Sequence, residues 1–444
     1  MMTPMTERRF AAIAFICWIA ITALVTAHHE PWRDEADPWL IARDNGLAGI
    51  VSLARHVGVP AMWYLAVAPL PRLGAPYAAQ NALNLLFAAG AVALLLFRSP
   101  FSRTTKVLLA FSYYLGYEYA SIARPYALSL LLLFAAASMF EKPLAFAVLI
   151  ALAMNVVAHA SVIAGAMAVA WWIRRPEGRR YAWIVAAGTV VAALQMMAPA
   201  DAQRVHAFAV TNWPALPFML GHAFLPTIPM SVGAPAAIAV LAAISYALRH
   251  SREALVAMWV SIAGLAFVGV FVWTAGLRHA GFVLIAVVVA MWIGRRSSVV
   301  LNATLVVALA VGAGSWYDEW TAAFSGSREM ARVLRQYGDY EIAAHNLTQC
   351  EAILPYLEGR RFWYAGLGAY GTHMRWDAAQ ERAVDVSYPE AEARARAHFA
   401  GKRWLLLLNV EMPDPRAHGF RLIARTREPV FEKSDERYWL YEPL

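Results

Sequence analysis

Long uncharged apolar runs, separated by short polar or basic stretches, recur along the first 315 residues of the chain. The first run, Phe10 to Ala27, contains no charged residue. Further runs occupy 76–97, 107–123, 125–140, 144–158, 160–173, 181–198, 231–248, 255–274, 280–294 and 298–315. A helix needs roughly 20 apolar residues to cross a bilayer, and several runs approach that length. The pattern predicts a mainly α-helical, polytopic transmembrane bundle with about eleven spans.

The distribution of basic residues orients these spans. With a cytoplasmic amino terminus, fourteen Lys and Arg residues of the first 315 lie on the cytoplasmic side and seven on the outer side. Because cytoplasmic loops carry the excess of basic residues, this count favours that orientation, in a cell inner membrane. It also requires the short run 60–70 to be a helix at the outer membrane surface, within an outer loop 28–75. A cleavable signal peptide is the alternative interpretation of the first run.

The remainder of the chain, 316–444, has an ordinary charge density and a different pattern. Helix-like stretches at 327–336 and 389–400 alternate with strand-like stretches at 404–410, 420–426 and 438–441. We therefore expect a transmembrane domain at 1–315 and a small periplasmic α/β domain at 316–444. The two cysteines lie one in each part, so no disulfide is expected. The net charge of +8 derives from the cytoplasmic loops, and no nucleic-acid partner is expected.

A charged segment follows the first apolar run directly. Between Glu30 and Trp39 the chain carries four carboxylates and Arg33. Ionisable residues beside the bilayer usually face a water-filled site, because burial against lipid costs several kcal/mol, in order of magnitude. This segment is therefore a candidate site of chemistry. His28-His29-Glu30 has metal-ligand residue types, but adjacent side chains diverge and no partner motif is present, so we expect no metal site.

Two short helical pairs indicate a cavity that opens outward. The segment between Lys106 and Glu141 must cross twice in 34 residues, so its turn should lie below the membrane surface. That turn contains Glu118 and Arg124, and the turn of the next short pair contains Asn155 and His159. Non-helical backbone at that depth requires protein or water around it.

Two arginines at helix starts are candidate phosphate ligands. Arg124 precedes Pro125, a residue favoured at the first helical position, and Arg278 stands beside His279 at the outer start of another span. A cation at a helix amino terminus adds its charge to unpaired N–H groups and the helix dipole. The neighbouring candidates could have structural roles instead. Glu118 could form an ion pair with Arg124, and His159 and His279 could be hydrogen-bonded structural residues. Trp63 and Tyr64 could belong to an interfacial aromatic belt.

Several of these residues together resemble a known family. They are an acidic Asp34-Glu35 pair just beyond the first span, a surface helix with His56, Pro60, Trp63, Tyr64 and Leu65, the stretch from Tyr117 to Leu128, and an outer carboxy-terminal domain. The combination is similar to GT-C integral membrane glycosyltransferases, and within them to the protein O-mannosyltransferase-like group (glycosyltransferase family 39). That group includes the aminoarabinose transferase of lipid A and the lipopolysaccharide-core galacturonosyltransferases.

The resemblance implies a transferase that takes a sugar from a polyprenyl-phosphate donor, with Asp34 as the catalytic carboxylate and Glu35 as its neighbour. The donor phosphate would be bound by Arg124 and Arg278, and other substrate contacts would come from Glu118, His56, His159, His279, Trp63 and Tyr64. Val57-Gly58-Val59-Pro60 departs from the family pattern, in which a His or Lys directly precedes the prolines. The implied partners are the lipid-linked donor, membrane lipid and a glycan, lipid or protein acceptor, without a cofactor or metal. A transporter or flippase of a lipid-linked saccharide and a non-catalytic envelope protein are the alternatives.

Overall fold

The structure, a computed structural model, describes residues 4–202, 211–273, 275–384, 386–427 and 429–444. Helices dominate the amino-terminal three quarters of the chain. These helices are α1 (Pro4–His28), α2 (Arg33–Asp44), α3 (Leu47–Val57), α4 (Met62–Val67), α5 (Pro69–Arg72), α6 (Ala78–Arg98), α7 (Arg103–Ala110), α8 (Tyr119–Ser121), α9 (Tyr126–Ser138), α10 (Pro143–Ala153), α11 (Ala158–Arg174), α12 (Ala182–Met196), α13 (Ala215–Phe224), α14 (Met230–Leu248), α15 (Arg252–Phe267), α16 (Leu277–Gly294) and α17 (Val299–Thr321).

Six helices of the described residues are long and apolar enough to cross a membrane, at Thr6–His28, Ala78–Arg98, Met230–Leu248, Arg252–Val272, Leu277–Gly294 and Val299–Thr321. Ile13 and Ile16 on α1 are more than 60% exposed. Such apolar outer faces are those of a polytopic membrane protein surrounded by lipid. Helix α16 is apolar on all sides and lies inside the bundle, where nearly every residue is buried.

The short apolar runs also form helices, but two regions differ from the expectation. The run 107–123 is not one helix, because α7 ends at Ala110 and a π-helical turn, Tyr113–Glu118, follows. Helix α17 passes so close to this turn that a Cβ at Gly116 would lie 3.1 Å from the Trp316 side chain. Helix α13 was not predicted. The expected surface helix at 60–70 forms as α4 and α5, with Trp63 and Tyr64 buried against protein.

The carboxy-terminal part is built on one six-stranded sheet in the order β3-β2-β1-β4-β6-β5. Its strands are β1 (Glu341–Ala344), β2 (Phe362–Tyr364), β3 (Ala369–Gly371), β4 (Trp404–Leu408), β5 (Phe420–Arg425) and β6 (Trp439–Pro443), and its helices are α18 (Ser327–Leu334), α19 (Leu347–Cys350), α20 (Ala378–Val384) and α21 (Tyr388–His398). Strand β1 is parallel to β2 and β4, and the other pairs are antiparallel. The predicted fold class, a helical bundle followed by a small α/β unit, is confirmed.

Helix α2 joins the two parts of the molecule. Its residues Ala36 and Leu40 are fully buried in the same apolar core as Met330 and Leu334 of α18. Because that core also contains residues of the sheet, the acidic segment after α1 is held directly beneath the carboxy-terminal unit. This contact positions the opposite face of α2 toward the ends of the membrane helices.

Candidate active site

Helix α2 presents Asp34 and Asp37 on one face, because residues three apart in a helix are neighbours. The helix begins at Arg33, and the Glu35 carboxylate accepts a hydrogen bond from the backbone N–H of Trp32 at 3.3 Å. This bond satisfies one of the N–H groups that a helix start leaves unpaired. The first turn of α2 is thereby fixed, and Asp34 extends from it toward the starts of α9 and α16.

Asp34 forms ion pairs with both predicted phosphate ligands. Its Oδ2 lies 3.2 Å from Arg124 Nη1 and 3.0 Å from Arg278 Nη2. Arg124 Nη1 also donates to the backbone carbonyl of Asp34 at 2.6 Å, whereas its buried Nε has no hydrogen-bond partner among the described residues. Burial alone would raise the pKa of Asp34, but the two guanidinium groups outweigh it and hold that pKa below its usual range.

The arginines are positioned by their own neighbours. Arg124 lies in an extended stretch between α8 and α9, where Asn84 donates to the carbonyls of Tyr119, Ala120 and Ile122 at 3.0 to 3.2 Å. These bonds satisfy carbonyl groups that a continuous helix would have paired. Arg278 lies in the first turn of α16, and its guanidinium carbon is 5.2 Å from the centre of the Trp32 ring, a cation–π distance.

A cavity of about 280 Å³ adjoins these three residues. Asp34, Arg124 and Arg278 line it together with a larger group of apolar residues. The apolar wall is formed by Val59, Pro60, Val156, Val157, Val268, Val272 and Trp273. Ligand pockets commonly combine an apolar wall with a few polar groups, which orient the ligand. This one could hold the phosphate and adjoining sugar of an amphiphile.

Two histidines also line the cavity. The rings of His159 and His279 are parallel, with centroids 4.6 Å apart, and both residues line the cavity. His279 Nδ1 accepts a hydrogen bond from Gly276 N at 2.9 Å. His159 is 3% exposed, and neither of its ring nitrogens has a hydrogen-bond partner among the described residues. A buried, unpaired polar ring at a cavity wall is costly unless a ligand or water completes it.

Seven of the ten residues expected at the site line the cavity: Asp34, Arg124, Arg278, His159, His279, Trp63 and Tyr64. Glu35, Glu118 and His56 do not. Glu35 is fully buried behind Asp34, where its carboxylate pairs with His29 at 2.8 Å and accepts from Ala123 N at 2.6 Å. It therefore fixes the residue before Arg124 and does not face the reaction space. Its carboxylate is occupied there, and the expected catalytic role of Glu35 stays a prediction that this position does not favour.

Glu118 and His56 are likewise engaged elsewhere. Glu118 accepts a hydrogen bond from the Tyr113 hydroxyl at 2.8 Å. The alternative ion pair between Glu118 and Arg124 does not form among the described contacts, because Arg124 pairs with Asp34. His56 contacts the Asp201 carboxylate at 3.3 Å and the Ser52 carbonyl at 3.0 Å, outside the cavity. Neither residue lines the cavity, and their expected substrate contacts stay predictions.

The sequence interpretation gave no site role to several lining residues. Among them are Asp37 on α2, Glu351 just after α19, and Trp376 just before α20. Burial raises the pKa of Asp37 to about 7, although the hydrogen bond from the Tyr64 hydroxyl lowers it. Burial and the nearby Asp37 charge raise the pKa of Glu351 well above its ordinary value. The position of Asp37, three residues after Asp34, was an available signal, whereas nothing local in sequence marks the other two.

Within the described ranges, no group of three or more His, Cys, Asp or Glu side chains is arranged to hold a metal ion. His29, in the stretch His28-His29-Glu30, is enclosed between the carboxylates of Glu35 and Glu319, each 2.8 Å from a ring nitrogen. The guanidinium groups of Arg124 and Arg278 adjoin the cavity.

No family model matches the chain, and no curated protein is similar to it in sequence. Among solved structures, the chain is similar to ArnT from Cupriavidus metallidurans, in a crystal structure bound to undecaprenyl phosphate. The alignment covers 97% of each chain, with 11% sequence identity and a TM-score of 0.46. A likeness this remote assigns neither a family nor an activity to the chain.

Proposed function

We propose that this protein is a membrane glycosyltransferase, which moves a sugar from a polyprenyl-phosphate donor to an envelope glycan, lipid or protein at the outer face of the inner membrane. The observation that carries the proposal is the carboxylate of Asp34 held between Arg124 and Arg278 at a cavity with one apolar wall. The arrangement joins a base and two fixed cations at one point. The sequence resemblance to GT-C glycosyltransferases supports the same chemistry.

The two arginines suit the donor phosphate. Guanidinium groups bind phosphate oxygens through short, charge-assisted hydrogen bonds. Arg278 lies at the amino end of α16, where the helix dipole also favours an anion. The Nε–H of Arg124 and the ring of His159, both without partners among the described residues, supply further hydrogen-bonding groups. The apolar wall offers a path for the first isoprene units of the lipid.

The transfer step follows from these positions. The acceptor hydroxyl attacks the anomeric carbon of the sugar, and its proton passes to the Asp34 carboxylate. The bond between that carbon and the phosphate oxygen breaks, and the departing phosphate keeps the electron pair. Arg124 and Arg278 stabilise the charge that accumulates on it. The products are the glycosylated acceptor and the polyprenyl phosphate.

The ion pairs of Asp34 give the arginines a second role. A carboxylate whose pKa is held low by two guanidinium groups is a weak base. A donor phosphate would compete for the same N–H groups, and the carboxylate would then lose part of this stabilisation. Arrival of the donor thus makes Asp34 a better proton acceptor than it is in the empty site.

The decisive experiment identifies the substrates in cells. Lipid-linked sugars and envelope glycans are compared by mass spectrometry in cells with and without the gene. An accumulating donor lipid together with a glycan that lacks one residue is the expected result. Unchanged donor lipids and glycans would reject the proposal.

Asp34→Asn separates a transferase from the other functions. The variant keeps the size of the side chain but cannot accept the proton, so transfer should fall about 100-fold or more, while membrane insertion and the melting temperature are retained. Asp339→Asn, at an exposed aspartate of the carboxy-terminal unit that does not line the cavity, is the matched control. A transporter or a non-catalytic envelope protein would keep its function in the Asp34 variant, and full activity there removes Asp34 from the mechanism.

A further inference from the structure

The carboxy-terminal unit supplies part of the cavity wall, and its contribution is specific in chemistry. Glu351 and Trp376 line the cavity together with Asp37 of α2. Glu351 is 1% exposed, and its Oε2 accepts a hydrogen bond from Met374 N at 2.8 Å. This bond ties the carboxylate to the loop that carries Trp376. Two elements distant in sequence are thus joined where they meet the cavity.

Asp37 leaves a hydrogen-bonding group unused at this place. Its Oδ2 accepts from the Tyr64 hydroxyl at 3.1 Å, whereas its Oδ1, buried in the cavity wall, has no hydrogen-bond partner among the described residues. The Trp376 side chain stabilises the Asp37 charge, but no regular hydrogen bond joins it to Oδ1. The Nε1 of Trp63, in the same wall, is also buried without a partner. Buried polar atoms are normally paired, so both require a ligand or water.

The backbone of the loop that holds Trp376 is constrained, and Trp376 lines the cavity. Trp376 has φ 55°, in the left-handed region that bulky residues seldom adopt. Such a conformation costs about 1–3 kcal/mol and is retained only where surrounding contacts impose it. Here Asp377 accepts from Gln380 N at 2.8 Å at the start of α20, and His373 lies 3.9 Å from Asp44 at the end of α2.

From these contacts we infer that Asp37, Glu351 and Trp376 form a binding site for the hydroxyl groups of a sugar ring, and that the carboxy-terminal unit supplies two of these three residues. Carboxyl oxygens accept hydrogen bonds from hydroxyls, and a protonated carboxyl can also donate one. An indole face offers a flat apolar surface to the C–H side of a ring. The inference rests on the proposed function, because Arg124 and Arg278 beside this site would hold the donor phosphate during the same transfer reaction.

The site also has a charge preference. Burial and the neighbouring Asp37 favour the neutral form of Glu351, by raising its pKa. A neutral sugar adds no charge to this place, whereas a sugar carboxylate would face Asp37 and Glu351 directly. The site should therefore accept neutral or amino sugars and reject uronates.

The test uses the full-length protein in detergent and two kinds of probe. Saturation-transfer NMR measures the binding of D-glucose, D-glucosamine and D-glucuronate, and inorganic phosphate is titrated separately. With inorganic phosphate occupying Arg124 and Arg278, the first two sugars should bind and D-glucuronate should not. Glu351→Gln should weaken D-glucose binding about tenfold, whereas Glu358→Gln, an exposed residue nearby, should change it less than about twofold. Phosphate binding should persist in Glu351→Gln and be lost in Arg278→Ala.

The outcomes separate this inference from the proposed function. Absence of sugar binding to the wild-type protein, or unchanged D-glucose binding in Glu351→Gln, overturns the sugar site. If Glu351→Gln melts at a lower temperature, Trp376→Ala takes its place under the same criterion. If the wild-type protein does not bind phosphate but still shows Glu351-dependent sugar binding, the inferred sugar site stands and the proposed transferase is rejected.

The source of the sugar is distinguished in the transfer reaction itself. A rise in the donor KM of Glu351→Gln, with an unchanged acceptor KM, places the donor sugar between Asp37 and Glu351. The reverse result places an acceptor sugar there. A fall in kcat with both KM values unchanged contradicts a binding role.

Discussion

At the scale of single residues, the position of Arg124 in a turn determines what its guanidinium can do. The preceding residue is tied down by Glu35, and the following residue begins the cap of α9, so the side chain has little freedom. Its Nη1 donates to the backbone carbonyl of Asp34 and pairs with the Asp34 carboxylate, whereas its Nε has no hydrogen-bond partner among the described residues. A cation held in this way is ready to receive an anion without reorganisation.

Arg124→Ala should therefore weaken binding of a polyprenyl phosphate by about 10- to 100-fold, because a charge-assisted hydrogen bond is lost. Arg72→Ala is the matched control, since Arg72 donates to the carbonyls of Ala68 and Asn45, outside the cavity. It should change the affinity by less than about twofold. Titration of the purified variants with the lipid phosphate measures both. Equal losses would show that Arg124 has no special role.

Glu436 makes folding stability depend on pH. Its carboxylate accepts from Arg33 N at 3.0 Å and from the Ser325 hydroxyl at 2.6 Å. Burial raises the pKa of Glu436 from 4.5 to about 8, against the opposing effect of these hydrogen bonds. Between these values the unfolded chain loses the proton while the folded protein keeps it. The free energy of unfolding therefore falls as the pH rises through this window, by up to about 1.4 kcal/mol per pH unit.

Glu436→Gln removes this ionisation while keeping a side chain of similar size. The variant should show a flatter decline of the melting temperature between pH 5 and pH 8, in the window bounded by the two pKa values. Asp37, whose pKa is also raised, retains part of the slope. Thermal melts of both proteins across this range provide the measurement. Identical slopes would show that Glu436 is not the responsible group.

At the scale of elements, the lengths of the apolar runs and the alternation within strands predicted much of the fold. The strands at Trp404–Leu408 and Trp439–Pro443 lie within or beside the segments expected from sequence. Strands β1, β2 and β3 contain only three or four residues each, too few to display an alternation. Helix α13 was hidden because Pro214 and Pro217 interrupt its apolar pattern at the start.

A buried charge cluster fixes the ends of three helices. His29, immediately after α1, lies between Glu35 of α2 and Glu319 of α17, at 2.8 Å from each. Tyr117 also donates to Glu319, at 3.0 Å. Burial would lower the pKa of His29, but the two carboxylates outweigh it and raise that pKa to about 10. At neutral pH the ring is therefore a cation that balances two buried acids.

His29→Ala should lower the free energy of unfolding by about 3–5 kcal/mol, because it leaves the carboxylates of Glu35 and Glu319 buried without their cation. The effect should appear as a lower melting temperature of the detergent-solubilised protein. His28→Ala is the control, since the neighbouring ring is exposed and lies on Trp320. Equal melting temperatures for the two variants would contradict a stabilising role of the cluster.

At the scale of the whole molecule, the site depends on contacts between distant parts of the chain. Asp34, Arg124 and Arg278 could be selected from sequence, because each lies beside an apolar run in a polar setting. Glu351 and Trp376 could not, since they reach the cavity only because the carboxy-terminal unit packs on α2. Ser327 Oγ donates to the Pro31 carbonyl at 3.1 Å, which reinforces this packing. The site therefore requires both parts of the chain to be folded together.

This joint site also sets the sidedness of the molecule, since the cavity, α2 and the carboxy-terminal unit must all face the same compartment. The distribution of basic residues predicts that this compartment is the periplasm. In a Cys17→Ser background, Lys402→Cys should react with a membrane-impermeant maleimide in spheroplasts, and Arg179→Cys only after lysis. Both positions are exposed, whereas the remaining Cys350 is buried. Mass spectrometry of the labelled protein measures the reaction. The opposite labelling pattern would place the cavity on the cytoplasmic side and would show that the orientation inferred from charge is wrong.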